Sequence, residues 1–327
     1  MRFADMAWEN KRVLVTGGNG FLGKWVCRQL LSSGILPENI IVPSSKEFDL
    51  RFRENCISVV SDADIVLHLA GRDGGIQYNM QHPGSIFYDN IMMNLQMMEA
   101  ARVANVEKYV SVGSVCSYPR NTDIPFLEKN FWNGYPDHAN AAYCMAKKMS
   151  VIQSRAYKEQ YDFSALNLLL TNMYGPGDTF DPRRSRVVAS LIRKFVDAKN
   201  AGSPNVTMWG TGSASRELLY VEDAARAIIL AAQYSDSPEP VNIGSGIEIT
   251  IRELSEFIKT IVGYTGEIIW DSSKPEGDLR RCSDVSRAER EFGFKAETPL
   301  SDGLRKTVQW YLKMMSNNQM PNLYHED

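Results

Sequence analysis

Four glycines in seven residues, Gly17-Gly18-Asn19-Gly20-Phe21-Leu22-Gly23, stand between a short β-branched run and a helical pattern. The run is Val13-Leu14-Val15-Thr16, and the helical spacing extends from Phe21 to Leu31. A strand, a glycine turn and a helix in that order let the backbone approach a pyrophosphate. The helix start then offers free N–H groups and a partial positive charge. Gly17 to Gly23 are therefore the candidate cradle of a dinucleotide, with both flanking elements present as such a cradle requires.

The rest of the chain has the alternation that such a start demands. Strands are predicted at Ile40-Ile41-Val42, at 65–69, at 109–112 and at 164–170, with helices at 92–103 and 141–157 between them. The fold class is an α/β, doubly wound parallel sheet with a smaller C-terminal α/β part. The Gly/Pro cluster Tyr174-Gly175-Pro176-Gly177-Asp178 marks a crossover. Expected domains are 1–175, rejoined by roughly 216–245, and a mainly substrate-binding 176–327. A helix is expected over 251–262, capped by Thr250, and 316–327 is polar and expected to be loose.

Composition narrows the function. The chain has 327 residues, 23% charged, with a net charge of −3 spread without long runs. That excludes a dedicated nucleic-acid or anionic-membrane binder. No apolar stretch reaches the roughly 18–20 residues a bilayer needs, and Met1 to Lys11 lacks a signal-peptide core. The five cysteines are scattered without a CxxC pair, which points to a reducing, cytoplasmic setting and to no metal.

The second predicted strand ends without a carboxylate for a ribose 2′-hydroxyl. Ser44, Ser45 and Lys46 follow Pro43 and suit a 2′-phosphate, which favours NADP. NAD stays open, with Glu47 close by. Tyr143 and Lys147 form Y-x-x-x-K on one face of a predicted helix. The ammonium is expected to lower the phenol's pKa, making it an acid or base for a sugar hydroxyl. Ser114 ends the fourth strand, on the ligand side of such a sheet. Cys116, two residues on, reads locally as a small buried residue, with a thiolate base as the alternative.

These residues resemble the extended short-chain dehydrogenases, and within them the GDP-L-fucose synthase family. The matching stretches include Gly74-Gly75-Ile76, Gly113-Ser114-Val115-Cys116-Ser117-Tyr118-Pro119, Trp132-Asn133-Gly134 and Asn172-Met173-Tyr174-Gly175-Pro176-Gly177-Asp178. Trp209-Gly210-Thr211-Gly212 with Arg216-Glu217, and Ser273-Lys274-Pro275-Glu276-Gly277, extend the match over nearly the whole chain. The resemblance implies a 3,5-epimerase/4-reductase of a GDP-4-keto-6-deoxyhexose. Ser114, Tyr143 and Lys147 would be the reductase triad and Cys116 the epimerisation base. Leu69, Ala70, Val112, Lys147 and Leu170 to Met173, Asn172 among them, would line the cofactor. Lys194, Trp209, Arg216 and Asp284 would hold the GDP-sugar. The family is homodimeric through helices that here would be about 87–104 and 141–158.

Three departures cluster at the sugar end. Arg186 stands where the family has a histidine acid, and a guanidinium is no practical proton donor. It could still bind a phosphate or stabilise an enolate. Arg72 and Asp73 replace a lysine and an apolar residue, and Ala142 replaces a proline. His138, five residues before Tyr143, is the weak candidate for a substitute acid. Three readings follow: the bifunctional enzyme, an enzyme confined to hydride chemistry at C4, and, remotely, a dinucleotide sensor without catalysis.

Overall fold

The structure, a computed structural model, describes residues 10–274 and 280–317. The polar tail from residue 318 onward, residues 1–9, and the Pro275-Glu276-Gly277 part of the last matching stretch lie outside the described residues. The first half runs β1 (Val13–Thr16), α1 (Phe21–Ser32), β2 (Ile40–Ile41), α2 (Arg53–Val60), β3 (Ile65–His68), α3 (Ile76–Gln81), α4 (Pro83–Val103), β4 (Lys108–Ser114), α5 (Ala141–Tyr161) and β5 (Ala165–Leu170). The second half runs β6 (Asn172–Tyr174), α6 (Val187–Asn200), β7 (Asn205–Trp209), β8 (Ser215–Tyr220), α7 (Val221–Tyr234), β9 (Pro240–Ile243), β10 (Glu248–Thr250), α8 (Ile251–Val262), β11 (Glu267–Asp271), α9 (Ser286–Phe292) and α10 (Leu300–Ser316).

Six strands form one parallel sheet in the order β2-β1-β3-β4-β5-β9. Every residue of β1, β3 and β5 is buried, as strands covered on both faces must be. Alternation sorts them. Val13 and Val15 pack with Val26 and Leu30 of α1 and with α7, while Leu14 packs on the other face with Met97, Met98 and Tyr109. From β1 the chain goes out to β2 on one side and returns to β3 on the other. The switch between β1 and β3 opens a crevice at the strand C-termini.

A second core gathers Phe180, Leu191, Ile192 and Phe195 with residues of β7, β8, α8 and α10. Here β8 pairs parallel with β6 and antiparallel with β10, and β7 pairs parallel with β11. Residues 221–243 return to the first sheet as α7 and β9, and α9 packs there too. Helix α8 spans the expected residues, closed by a reciprocal cap in which Thr250 Oγ1 accepts from Glu253 N at 3.1 Å and Glu253 Oε2 accepts from Thr250 N at 2.9 Å.

Two helix boundaries differ most from expectation. Helix α5 runs on to Tyr161, four residues beyond the predicted 157. Helix α4 begins at Pro83, well before Met92, because proline suits the first helical position. Its early turns bury Asp89 and Asn90, so no apolar stripe announces them. Among the described residues no helix is long and apolar enough to cross a membrane.

Candidate active site

The crevice at the β1–β3 switch is built around the glycine turn. Gly17 has φ +70°, and a Cβ there would lie 2.9 Å from Ala70 N; a Cβ at Gly23 would lie 2.2 Å from Gly17 O. Only glycine lets α1 start this close to the strand ends. Gly20 caps α1, whose first turn carries no acidic residue to compete for an anion. Asn19 and Gly20 are exposed, Phe21 and Leu22 half-buried, and Gly18 sits against Val42. Leu69 and Ala70 leave β3 beside this turn, with Leu69 N on Thr16 O and Ala70 N on Thr16 Oγ1. Beyond β2, Ser44 closes a turn by accepting from Lys46 N and Phe48 N, leaving Ser45, Lys46 and Glu47 exposed at the rim. A dinucleotide fits this cradle.

Val112 lies on β4 just before the ligand edge and Ser114 closes the strand. Ser114 Oγ accepts from Cys116 N at 3.2 Å, which shapes the short turn 115–117. Leu170 ends β5 next to Ser114, but its side chain belongs to the sheet core. The half-buried Asn172 and Met173 are the members of 170–173 that stay open. Tyr143 and Lys147 lie one turn apart on α5. Lys147 is buried against Gly71, where a Cβ would stand 3.4 Å from Nζ.

A buried polar chain locks α4 and the strand ends together. Thr16 Oγ1 meets His68 Nδ1 at 2.8 Å, His68 Nε2 meets Asn94 Oδ1 at 3.0 Å, and Asn94 Nδ2 reaches Ala146 O of α5. Burial, with Lys147 nearby, pulls His68 down to about 3, so it is a neutral structural bridge. His82 and His138 are exposed.

The expected pKa relation between Tyr143 and Lys147 is reversed. Burial, followed by Asp73 and the Cys144 and Cys116 thiols, pushes the Tyr143 phenol well above its ordinary value, and the opposing cation is Arg186. Burial also pulls Lys147 down to about 8, with Asp73 opposing. Desolvation disfavours both charged forms, so nearness alone does not make a phenolate.

Asp73, which was only a departure from a family pattern in the sequence, ties its loop to the start of α5 and to Arg186. Its Oδ1 accepts from Asn79, which also holds Asn140 at the start of α5, and its Oδ2 pairs with Arg186 at 3.3 Å. Arg186 also faces the buried Asp178 at 3.6 Å, and burial raises that carboxyl to about 6 against the pull of Arg186. Asp73, Gly74, Thr179, Arg184 and Arg186 line a cavity of about 260 Å³. Arg72 turns away to Asp89 at 2.7 Å and Tyr78 Oη at 2.8 Å.

Arg281 is the residue that sequence reasoning missed altogether. Its Nη1 donates to Cys116 Sγ at 3.0 Å. The segment carrying it is held by the buried Glu217, which accepts from Ser283 N and Gly246 N. No spacing pattern links positions 116 and 281; only the fold does. Cys116 is half-buried, not core, and Cys144 behind it donates to its carbonyl at 3.1 Å.

The expected GDP-sugar residues separate. Lys194 on α6 reaches Thr207 O of β7, and Trp209 at the end of that strand is 64% exposed. Arg216 on β8 donates to Ser215 O at 2.6 Å. Asp284 Oδ1 accepts from Ser286 N and Oγ just before α9.

A profile of the NAD dependent epimerase/dehydratase family matches residues 13–244. A rice (Oryza sativa subsp. japonica) protein named probable GDP-L-fucose synthase 1 is 36% identical over 312 residues, 94% of each chain. The structure superposes on a GDP-6-OMe-4-keto-L-xylo-heptose reductase from C. jejuni with a TM-score of 0.88 and 25% identity, covering 95% of this chain and 100% of that one. An NADP-bound GDP-L-fucose synthetase from Naegleria fowleri gives a TM-score of 0.86 at 26% identity, covering 97% and 98%.

Proposed function

Since the chain belongs to the NAD dependent epimerase/dehydratase family, we propose that it is an NADPH-dependent reductase of a GDP-linked 4-keto sugar, of the GDP-L-fucose synthase kind. The observation that carries this is the glycine turn, with no room for a Cβ at Gly17 or Gly23, at the strand ends of a parallel sheet where Ser114 closes β4 and where α5, carrying Tyr143 and Lys147 on one face, packs against β4. Nicotinamide, when bound, supplies the hydride. Ser114 Oγ holds the C4 oxygen, and Tyr143 gives it a proton as C4 is reduced. The phenol carries that proton at neutral pH. Lys147 holds a ribose and the phenol side of the site by its charge. Ser45 and Lys46 at the rim, and the absence of a carboxylate at the tip of β2, support NADP, as do the NADP-bound relatives. Trp209 stacks on guanine, while Lys194 and Arg216 meet the diphosphate. Cys116, hydrogen-bonded by Arg281, is the base for protons on the carbons flanking the ketone.

A second reading, C4 reduction alone, is favoured by Arg186. It is tied to Asp73 and Asp178, and a permanent cation cannot return a proton to the opposite face. The deciding experiment is turnover of GDP-4-keto-6-deoxymannose with NADPH in heavy water, read by NMR. Deuterium at C3 and C5 of the product, lost in Cys116→Ala, supports the bifunctional enzyme. Reduction without that deuterium supports the C4 reductase. NADPH binding without turnover of any GDP-4-keto sugar sinks both.

A further inference from the structure

The cavity beside α5 is lined by Asp73, Gly74, Thr179, Arg184 and Arg186, a carboxylate and two cations among them. No wholly apolar side chain is among these lining residues. Asp73 and Arg186 both act on the Tyr143 phenol electrostatically, so the cavity adjoins the place where the C4 oxygen is held. On a pyranose the exocyclic carbon on C5 is two bonds from C4, so it reaches the space next to the C4 oxygen. In a 6-deoxy sugar that substituent is a methyl, which can neither accept from an arginine nor donate to a carboxylate.

The carboxylate is fixed before any ligand arrives. Asn79 holds one oxygen at 3.1 Å and Arg186 the other at 3.3 Å, and Arg184 donates to the Asp73 carbonyl at 3.4 Å. A rigid acceptor beside two donors is a preorganised site for groups that both donate and accept. A hydroxyl does both. A carboxylate substituent would satisfy the arginines but face Asp73 with like charge.

Building on the proposed GDP-sugar reductase, we infer that the Asp73–Arg184–Arg186 cavity receives a hydroxylated carbon chain at C5, so that the substrate is a GDP-4-keto sugar retaining hydroxyls beyond C5 rather than a 6-deoxy sugar. Asp73 and Arg186 are then specificity-determining residues. Sites built to hydrogen-bond a hydroxyl reject the analogue lacking it by large factors.

The test compares four GDP-linked 4-keto sugars as substrates of the full chain with NADPH, differing only at C5: methyl, hydroxymethyl, a two-carbon diol and a carboxylate. Cofactor oxidation gives kcat/KM for each. The hydroxylated sugars are expected to exceed the methyl and carboxylate sugars by about 100-fold. Asp73→Asn is expected to narrow the hydroxymethyl-to-methyl ratio about tenfold. Thr179→Val, which leaves the ion pairs in place, narrows it in the same direction should the Asp73 variant fail to fold. A methyl sugar reduced as well as or better than the hydroxylated ones overturns the inference and leaves the reductase standing. So does a variant that lowers all four equally. Preference for the carboxylate sugar overturns it in favour of an anionic substituent. Turnover of none of the four, with NADPH still bound, overturns the reductase reading and this inference together.

Discussion

At Lys147 the charge balance is set by burial as much as by partners. Desolvation holds its pKa down to about 8, and Asp73 alone pulls the other way. Its ammonium is therefore present in the neutral range and lost as pH rises through about 8. If that charge holds the ribose and assists Tyr143, kcat/KM for NADPH-dependent reduction is flat near neutrality and bends downward above that point. Lys147→Arg keeps a cation at every ordinary pH, so the bend disappears while the whole profile drops about tenfold, since a planar fork replaces a compact ammonium. A bend persisting unchanged in Lys147→Arg would assign it to another group. The spacing of Tyr143 and Lys147 is plain in the sequence; the sign of the phenol's shift is not. It depends on Asp73, 70 residues upstream of Tyr143, and on how deeply α5 is buried. The Cys116–Arg281 contact was invisible for the same reason, because it joins positions that no local pattern relates.

Among the elements, the turn between β1 and α1 is the one whose geometry leaves no slack. An alanine methyl at position 23 would sit 2.2 Å from the backbone oxygen of Gly17, so α1 would have to back away from the strand ends. Gly23→Ala is expected to weaken NADPH binding at least about tenfold, read by quenching of protein fluorescence. Gly84→Ala on α4 is the matched control, since a Cβ there meets nothing within 4 Å, and it should leave binding unchanged. Equal binding by both variants would detach the cradle from the cofactor. Elements with a periodic signal were legible: β1, β3, α8 and its Thr250 cap were placed within a residue. Helix α4 was seen only from its middle, because Asp89 and Asn90 in its opening turns are buried for their hydrogen bonds to Arg72 and its neighbours. Polar residues serving a neighbouring loop look, in one dimension, like surface.

On the scale of the whole molecule, α4 and α5 pack side by side over the face of the sheet carrying Leu14 and Val66. Their inner sides are satisfied. Outward they present Phe87, Tyr88 and Leu95 from α4 and Ile152 from α5, each 36% exposed or more. Large apolar side chains exposed on two neighbouring helices would suit a twofold contact. Two such pairs related by a twofold axis would form a four-helix bundle, the isologous contact most common in soluble oligomers. Light scattering of the native chain is then expected to give about twice its 36.8 kDa mass. Leu95→Glu with Ile152→Glu should halve that mass, with the far-ultraviolet spectrum unchanged. The separated protein is expected to go on oxidising NADPH with its substrate, at a reduced thermal midpoint. A native mass of one chain would remove the proposed dimer. A dimer surviving both charges would move it to another face.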